Sequence, residues 1–496
     1  MHKRLATILK WTGIVILALG IIYAALMVVG NYQLRQAYAA LEKAGRPMRP
    51  EQVTPRPIPD CDNAALVYQS VVLKLKAARA DQYDQLSKSN KTFVARRGAL
   101  PDKEDLFVRL GELGAEMRFA AFATTNEANY HETKDSSRQA QEAFLQLMRQ
   151  QIMVDALQEL EVGSAKPGCC YIFDYASMYV PSMSLKPPLK GAYSVISDLL
   201  GLSKIMDRIA RLQAADGDPV AARKSVIAGL QIANALNNSP LMIHLLVRMS
   251  QGSLAIGTIQ RVCDTATVTT EWVAHVDEIL KKWDDPTIMI RMLDGERLLF
   301  SEPGFKKPVA EIFDELTFAV AKYYPVNEFA RVVLTAVYRP IHTFDHVAFL
   351  RLMNAATKLV DQAPATGEAT WEKTLQVPRH CILTYGFLPG LSSAQKQCVV
   401  MSARIRITRA GLAALLYRQE HGKYPEDLAT IHMENLLDPF SGKALIYRAD
   451  ATGFIVYSVG PNMRDDGGAN DRRQKLDDIA WKYVAPVSAE SGAASL

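Results

Sequence analysis

The chain has 496 residues, which is too long for one typical domain, so two or three domains are expected. Hydrophobic residues make up 49% and charged residues 22%, an ordinary composition for a globular protein. The net charge of +5 is small and the basic residues are scattered, with neither a basic stripe nor a known module, which argues against nucleic-acid binding.

The first predicted element is a membrane-spanning helix. Residues 11–34 carry no charge, and about 20 apolar residues are enough to cross a hydrocarbon core ~30 Å thick. Lys3, Arg4 and Lys10 precede this run. Its length favours an uncleaved anchor over a signal peptide, although an Ala-Tyr-Ala triplet at residues 37–39 keeps a cleaved signal peptide open.

The predicted topology is a single-pass protein of the inner membrane. Residues 1–10 form a cytoplasmic tail, residues 11–32 form the anchor, and the remainder lies outside the cytoplasm. Basic residues follow the span as well as precede it, but a long domain is translocated largely regardless of its charge. The membrane is therefore one expected partner of the chain.

A proline-rich segment follows the anchor. Residues 33–60 contain five prolines between Pro47 and Pro59, so they are predicted to form a stiff, extended spacer.

Residues 61–360 are predicted to form a helical body, because apolar residues recur there at steps of three and four. Asp218 and Pro219 suit the N-cap and the first position of a helix, and the surrounding helix pair resembles one hairpin of the tetratricopeptide class. Further helices are predicted at residues 271–283, 287–301, 326–337 and 340–360.

Polar residues inside this body predict a buried network. His244, Arg248 and Gln251 form a polar stripe on a very apolar helix, and Asp294 and Glu296 lie on another helix. An unpaired buried charge is strongly destabilising, so an ion pair between Arg248 and Glu296 is predicted. The network is interpreted as structural, with a substrate site as the alternative.

Two residue pairs are candidate chemical sites: His342 with His346, and Cys169 with Cys170. His342 and His346 would share one helix face, but no third zinc ligand is evident and the pair is predicted to lie on a partly exposed surface. Cys169 and Cys170 are interpreted as incidental neighbours rather than a redox pair. No catalytic residue is predicted, because no phosphate-binding loop, nucleophile elbow or dinucleotide fingerprint occurs.

The C-terminal region predicts a small α+β domain at residues 394–485, after a linker at 361–393 and before a flexible tail at 486–496. A helix at residues 394–421 is expected to stop at Gly422. A β-hairpin is predicted at residues 444–458, followed by a loop rich in aspartate. Ile479 and Trp481 are expected to pack back onto the domain, which is predicted to fold alone.

Five short motifs occur here in a characteristic order: GKYP at 422–425, DPFSGK at 438–443, YSVG at 457–460, DDGG at 465–468 and DDIAW at 477–481. In this order they resemble the globular domain of the major pseudopilins of type II secretion systems. More loosely, the whole chain is similar to single-span envelope proteins of planctomycete-type bacteria that have no known activity.

The resemblance implies a calcium site, because the corresponding pseudopilin loop folds around that ion. The implied ligands are Asn462, Asp465, Asp466, Asp477 and Asp478, together with backbone carbonyls, and oxygen ligands of this kind suit calcium. The alternative is a solvated or self-paired loop, since Arg464, Arg472, Arg473 and Lys475 nearly balance the aspartates.

The expected fold is therefore mainly α: a transmembrane helix, a helical body and a small pseudopilin-like α+β domain. The function favoured is non-catalytic binding or scaffolding at the cell envelope. One alternative is an accessory component of a type II secretion or pilus-like machine, and the other is an enzyme that uses the polar network. Polymerisation as a pilin is not expected, because the N-terminus lacks the glutamate of a prepilin-peptidase site.

Overall fold

The computed structural model describes residues 2–78, 110, 141–173, 190–311, 328–362, 375–431, 433–434, 436–471, 474 and 476–485. This part of the chain is mainly helical and carries a small sheet near its C-terminus, as the sequence predicts. The predicted C-terminal tail and most of the predicted linker lie outside the described residues.

Helix α1 (His2–Lys43) contains the predicted membrane span. Among the described residues, its segment Lys10–Lys43 is the one helix long and apolar enough to cross a membrane, with a mean hydropathy of 2.6. Side chains of residues 10–29 are exposed, apart from Tyr23 and Met27, which are half-buried. The prediction of an extended spacer was wrong for residues 33–43. They remain helical because no proline occurs before Pro47.

The helices of the body occur in the predicted region, and one more helix follows that region in the chain. Their bounds are α2 (Ala64–Ala77), α3 (Gln151–Ser164), α4 (Lys190–Ala215), α5 (Pro219–Ala233), α6 (Met242–Cys263), α7 (Thr270–Trp283) and α8 (Ile288–Gly295), followed by a π-helical segment (Glu296–Ser301), α9 (Glu302–Phe305), α10 (Glu328–Gln362) and α11 (Ile382–His421). The predicted cap between α4 and α5 is confirmed, because the Asp218 carboxylate accepts the Ala221 N–H at 2.9 Å.

Two helices differ from their predicted bounds. The two helices predicted at 326–337 and 340–360 form the single helix α10, which contains Pro340. Helix α11 begins at Ile382, so it includes the last part of the predicted linker. Its end at His421 is as predicted, with Gly422 in the left-handed conformation at φ 73°.

The C-terminal sheet has three antiparallel strands in the order β1-β2-β5, and a separate two-stranded ribbon pairs β3 with β4. The strands are β1 (Ile446–Ala449), β2 (Gly453–Ser458), β3 (Asn470–Asp471), β4 (Leu476–Asp477) and β5 (Ile479–Val484). The predicted hairpin is therefore confirmed as β1 and β2. Trp481 of β5 is buried against α11 at Gly411, where an added Cβ would lie 2.2 Å from the indole ring.

One hydrophobic core joins α1, the helical body and the C-terminal sheet. It runs from Ala37 and Leu41 of α1 through α5–α8, α10 and α11 to Phe454 and Trp481. A second cluster lies around α2, α3 and α4. Independent folding of residues 394–485 therefore stays a prediction, and the shared core counts against it.

Candidate functional site

The predicted ion pair between Arg248 and Glu296 was wrong, although both side chains are buried as expected. Arg248 Nε donates to Asn234 Oδ1 at 3.2 Å, and the guanidinium lies over the Trp283 ring at 5.4 Å from its centroid. Glu296 instead accepts the backbone N–H of Met242 at 3.1 Å. Met242 is the first residue of α6, so the carboxylate satisfies one of the N–H groups that a helix leaves without an internal partner.

The other members of the predicted network are also dispersed. His244 contacts Ser239 through its Nδ1 atom, and Gln251 donates to Ser203 Oγ at 3.0 Å. Asp294 pairs with an arginine outside the predicted set. The five residues are buried, but they do not converge on one another or on a shared substrate site.

A different buried cluster lies where α1 meets the body. We call it the anchor cluster, and it consists of Tyr38, Arg46, Asp294, Arg297, Glu302 and His346. Its members come from α1, the segment after α1, α8, the π-helical segment, α9 and α10. It therefore ties together three regions that are far apart in sequence, at residues 38–46, 294–302 and 346.

Arg297 is the centre of the anchor cluster and is 1% exposed. Its Nη1 donates to Glu302 Oε1 at 2.6 Å, and its Nη2 donates to the backbone carbonyl of Pro47. Arg46, beside Pro47, binds both oxygens of Asp294 through its guanidinium. The predicted spacer is thus held against the body by charge-assisted hydrogen bonds at its start.

Tyr38 connects α1 to the same cluster. Its hydroxyl donates to Glu302 Oε2 at 3.0 Å and lies 3.3 Å from His346 Nε2. The His346 ring stacks on Phe305 with a centroid distance of 4.7 Å. Lys306 Nζ lies 3.0 Å from Glu302, so both carboxylate oxygens have partners.

The surroundings fix the charge states of the two titratable groups beside Tyr38. Burial alone would raise the pKa of Glu302, but the hydrogen bonds and positive charges of Lys306 and Arg297 outweigh it and hold that pKa below its ordinary value. Burial lowers the pKa of His346 to about 4, and the Glu302 carboxylate opposes this shift only partly. Near neutral pH the cluster therefore contains an ionised Glu302 and a neutral His346.

His342 and His346 are not on an exposed face, contrary to the prediction, because α1 packs against this part of α10. They are 6% and 5% exposed. Burial lowers the pKa of His342 to about 4. Within the described ranges, no group of three or more His, Cys, Asp or Glu side chains has an arrangement that could hold a metal ion.

The neighbouring cysteines Cys169 and Cys170 are free thiols. Burial raises the pKa of both, that of Cys169 to about 12, so the reactive thiolate is disfavoured.

The aspartate of the DPFSGK motif, Asp438, joins two segments of the C-terminal region by hydrogen bonds. Asp438 is 2% exposed and accepts from Phe440 N–H, Ser441 Oγ, Ser458 Oγ and Val459 N–H at 2.7–3.2 Å. The turn after Leu437 is thereby joined to the end of β2. The sequence marked this stretch as a turn but gave no sign that its carboxylate binds the hairpin.

The aspartate loop is held by its own backbone. Asp478 Oδ2 accepts the N–H groups of Asp466 and Gly468 at 3.0 and 2.7 Å. Asp466 Oδ2 accepts from the Asn462 side chain and from the Asp477 N–H. Hydrogen bonds from amide groups to carboxylates thus link four of the five implied calcium ligands: Asn462, Asp466, Asp477 and Asp478.

Two further residues of the loop, Asp465 and Gly460, make contacts outside this linked set. Asp465 Oδ1 accepts from the Tyr457 hydroxyl and from Gly467 N–H, each at 2.9 Å. Gly460 has φ 62°, and an added Cβ would lie 1.9 Å from the Asp477 carbonyl oxygen. Glycine is therefore required where the YSVG motif passes the DDIAW strand.

One atom of the loop lacks a partner. Asp478 is 0% exposed, and within the described part of the chain its Oδ1 makes no hydrogen bond. Burial raises the pKa of this carboxyl group, and the two backbone N–H groups on Oδ2 counteract the shift only in part. Among the described residues, the internal hydrogen bonds of the loop therefore leave this buried carboxylate oxygen unexplained.

Most of the anchor cluster has no local signal in the sequence. Tyr38 and Arg46 lie in the predicted spacer, where no periodic pattern marks them as residues that contact the body. Glu302 carried a usable signal, since it interrupts the apolar run LLFS before a proline. A charge at such a place predicts a buried partner.

Comparisons with protein-family models, with curated proteins and with solved structures found no match to this chain.

We expect Arg297→Ala to lower the free energy of unfolding by roughly 3 kcal/mol, the low end of the range for breaking a buried ion pair, because Glu302 Oε1 loses its buried donor while Lys306 and Tyr38 remain on Oε2. The matched control is Arg291→Ala, which removes an exposed pair with Asp285 and should cost about 0–1 kcal/mol. Denaturant unfolding of the full chain in detergent measures both. Equal effects of the two substitutions would contradict the importance of the anchor cluster.

The pH dependence of stability tests the burial of His346. Its folded pKa, about 4, lies below the ordinary value of 6.5, so the unfolded chain binds the proton first and stability falls as the pH drops from 6.5. Between pH 6.5 and 5, the wild type should lose about 2 kcal/mol more than His346→Phe. His275→Phe on the exposed face of α7 is the control for losing a histidine. Parallel pH curves for the wild type and His346→Phe would contradict the assignment.

Proposed function

We propose that this protein is a single-pass inner-membrane protein whose extracytoplasmic body binds or scaffolds other components of the cell envelope without catalysing a reaction. The observation that carries the proposal is the continuity of α1. One uninterrupted helix leads from an exposed apolar segment into the hydrophobic core, where Ala37 and Leu41 are buried.

The anchor cluster supports a scaffolding role. A flexible tether would let the body move freely about the end of the span, whereas Tyr38 and Arg46 attach α1 to α8, α9 and α10. The body would then be held in one orientation relative to the bilayer. Such an arrangement suits a protein that presents a surface to partners at a fixed distance from the membrane.

One observation bears on the enzyme alternative: His244 Nε2, Arg248 Nη2 and Gln251 Oε1 are buried and have no hydrogen-bond partner among the described residues. The predicted polar residues are dispersed, and the anchor cluster has all its carboxylate oxygens in hydrogen bonds or ion pairs. A cavity of about 190 Å³ lies elsewhere, between α2, the loop after α3 and the end of α5.

The topology is tested by carbonate extraction of membranes and by protease treatment of intact cells after outer-membrane permeabilisation. The chain should stay in the membrane and its body should be digested only from the extracytoplasmic side. Leu17→Asp with Ile21→Asp should weaken membrane retention, since each aspartate in a span costs about 2.5–3.5 kcal/mol. Val220→Asp, at an exposed body position, is the matched control. A cytoplasmic body, or a mature chain that starts near Ala40, would contradict the proposal.

A second candidate function is that of an accessory component of a type II secretion or pilus-like machine, with a calcium ion in the aspartate loop. The specific observation in its favour is the buried Asp478 Oδ1 atom, which has no partner among the described residues. An ion there would supply one. Asn462, Asp465, Asp466 and Asp477 are the proposed remaining side-chain ligands, and they would have to rearrange around the ion, because no three His, Cys, Asp or Glu side chains of the described residues are already placed to hold one.

Calcium in the millimolar range should raise the unfolding free energy of the full chain, since extracellular calcium modules bind at ~10⁻⁴–10⁻³ M and an ion at 100 times its dissociation constant adds ~2.7 kcal/mol. Asp478→Asn should abolish this response, while its retained side-chain oxygen still accepts from Asp466 and Gly468. Glu426→Gln, at an exposed carboxylate, is the control and should keep the response. An unchanged unfolding midpoint of the wild type with calcium would mean that the loop is self-paired.

A further inference from the structure

The first turns of α10 expose their apolar side chains. The exposed face consists of Phe329, Val332, Val333, Ala336 and Val337. Their spacing of i, i+3, i+4, i+7 and i+8 places them on one side of the helix. Phe329 is 79% exposed and Val332 is 60% exposed, so this stripe faces away from the protein. We call it the outer apolar face.

The opposite side of the same turns is polar and faces inward. Thr335 Oγ1, Tyr338 Oη and His342 Nε2 are inaccessible to solvent and have no hydrogen-bond partner among the described residues. These side chains recur at i, i+3 and i+7, so they share a face. A helix in water normally shows the reverse arrangement, with apolar residues inside and polar residues outside.

This inverted arrangement is ordinary for a helix in contact with lipid. There, the surroundings are apolar and polar side chains turn toward the protein interior. The outer apolar face therefore indicates that these turns are surrounded by hydrocarbon rather than by water.

The position of α10 beside α1 indicates where that hydrocarbon lies. An added Cβ at Gly30 would lie 3.1 Å from Thr343 Cγ2, so the two helices are in close contact there. Gly30 stands near the end of the apolar run of α1, next to the exposed Val28 and Val29. Helix α10 thus meets α1 at the level where the proposed span leaves the membrane.

The charges of the segment limit how deeply it can be immersed. Arg331 and Arg339 flank the sequence VVLTAVY, and the seven residues between them span about 10 Å of helix, far short of the ~30 Å hydrocarbon core. Arg339 is exposed, and Arg331 is half-buried and lies 3.5 Å from Glu328. The long side chain of the exposed Arg339 can reach the headgroups while the apolar residues before it enter the acyl region.

We propose that residues 328–339 of α10 lie in the bilayer interface beside α1 and form a second membrane contact, with anionic phospholipid headgroups next to Arg339. This proposal rests on the proposed anchoring by α1. A span and an interfacial helix packed against it would fix the tilt of the body, which a single span alone leaves free.

Site-specific photo-crosslinking in the full chain tests this contact. The photoreactive residue p-benzoylphenylalanine replaces Phe329 or Val333 in separate variants, which are reconstituted into vesicles of phosphatidylcholine and phosphatidylglycerol. The same residue at Val15 of α1 reports insertion of the span, and at Val220 of α5, which is 56% exposed, it reports background labelling. Mass spectrometry then identifies phospholipid adducts at each position.

The proposal predicts phospholipid adducts at Phe329 and Val333 roughly tenfold or more above the Val220 background, and higher yields with phosphatidylglycerol than without it. Adducts at Val15 but not at Phe329 or Val333 would overturn the second contact and leave the anchor intact. Crosslinks from Phe329 and Val333 to the chain itself would also overturn it. Background labelling at all of these positions, Val15 included, would overturn both proposals.

Discussion

The pairing of Arg297 with Glu302 is the interaction on which the position of helix α1 depends. Arg297 is 1% exposed, and a charge in that environment is tolerated only when its donors are satisfied. Glu302 and the Pro47 carbonyl satisfy it, so the segment that follows α1 must stay in contact with the body. Tyr38 adds a contact from α1 itself to the same carboxylate.

This constraint links stability to the proposed function. Because α1 ends against the core and not in a loose tether, α1 and the body form one structural unit. In the proposed scaffold, such a connection would keep the binding surfaces at a fixed height and direction above the bilayer. The outer apolar face of α10 extends the same idea, because a second contact with lipid would restrict the remaining rotation about α1.

Local features of the fold could be predicted from the sequence, and long-range partners could not. Neighbouring residues were enough to predict three features that are present in the structure: the cap at Asp218, the helix end at Gly422, and the hairpin of β1 and β2. Tyr38 and His346 are separated by 308 positions, and no local pattern joins them. The aspartate loop is intermediate, because its motifs are local while the burial of Asp478 depends on the strands packed around it.

Hydrogen exchange of the full chain in lipid nanodiscs tests most directly whether anchor and body are one unit. The amides of residues 37–43 lie beyond the proposed span, and a helix end that projects freely into water would exchange quickly through fraying. If α1 and the body form one structural unit, these amides should exchange as slowly as those of the buried helix α6. Exchange at the rate of a frayed helix end, with α6 still protected, would contradict it.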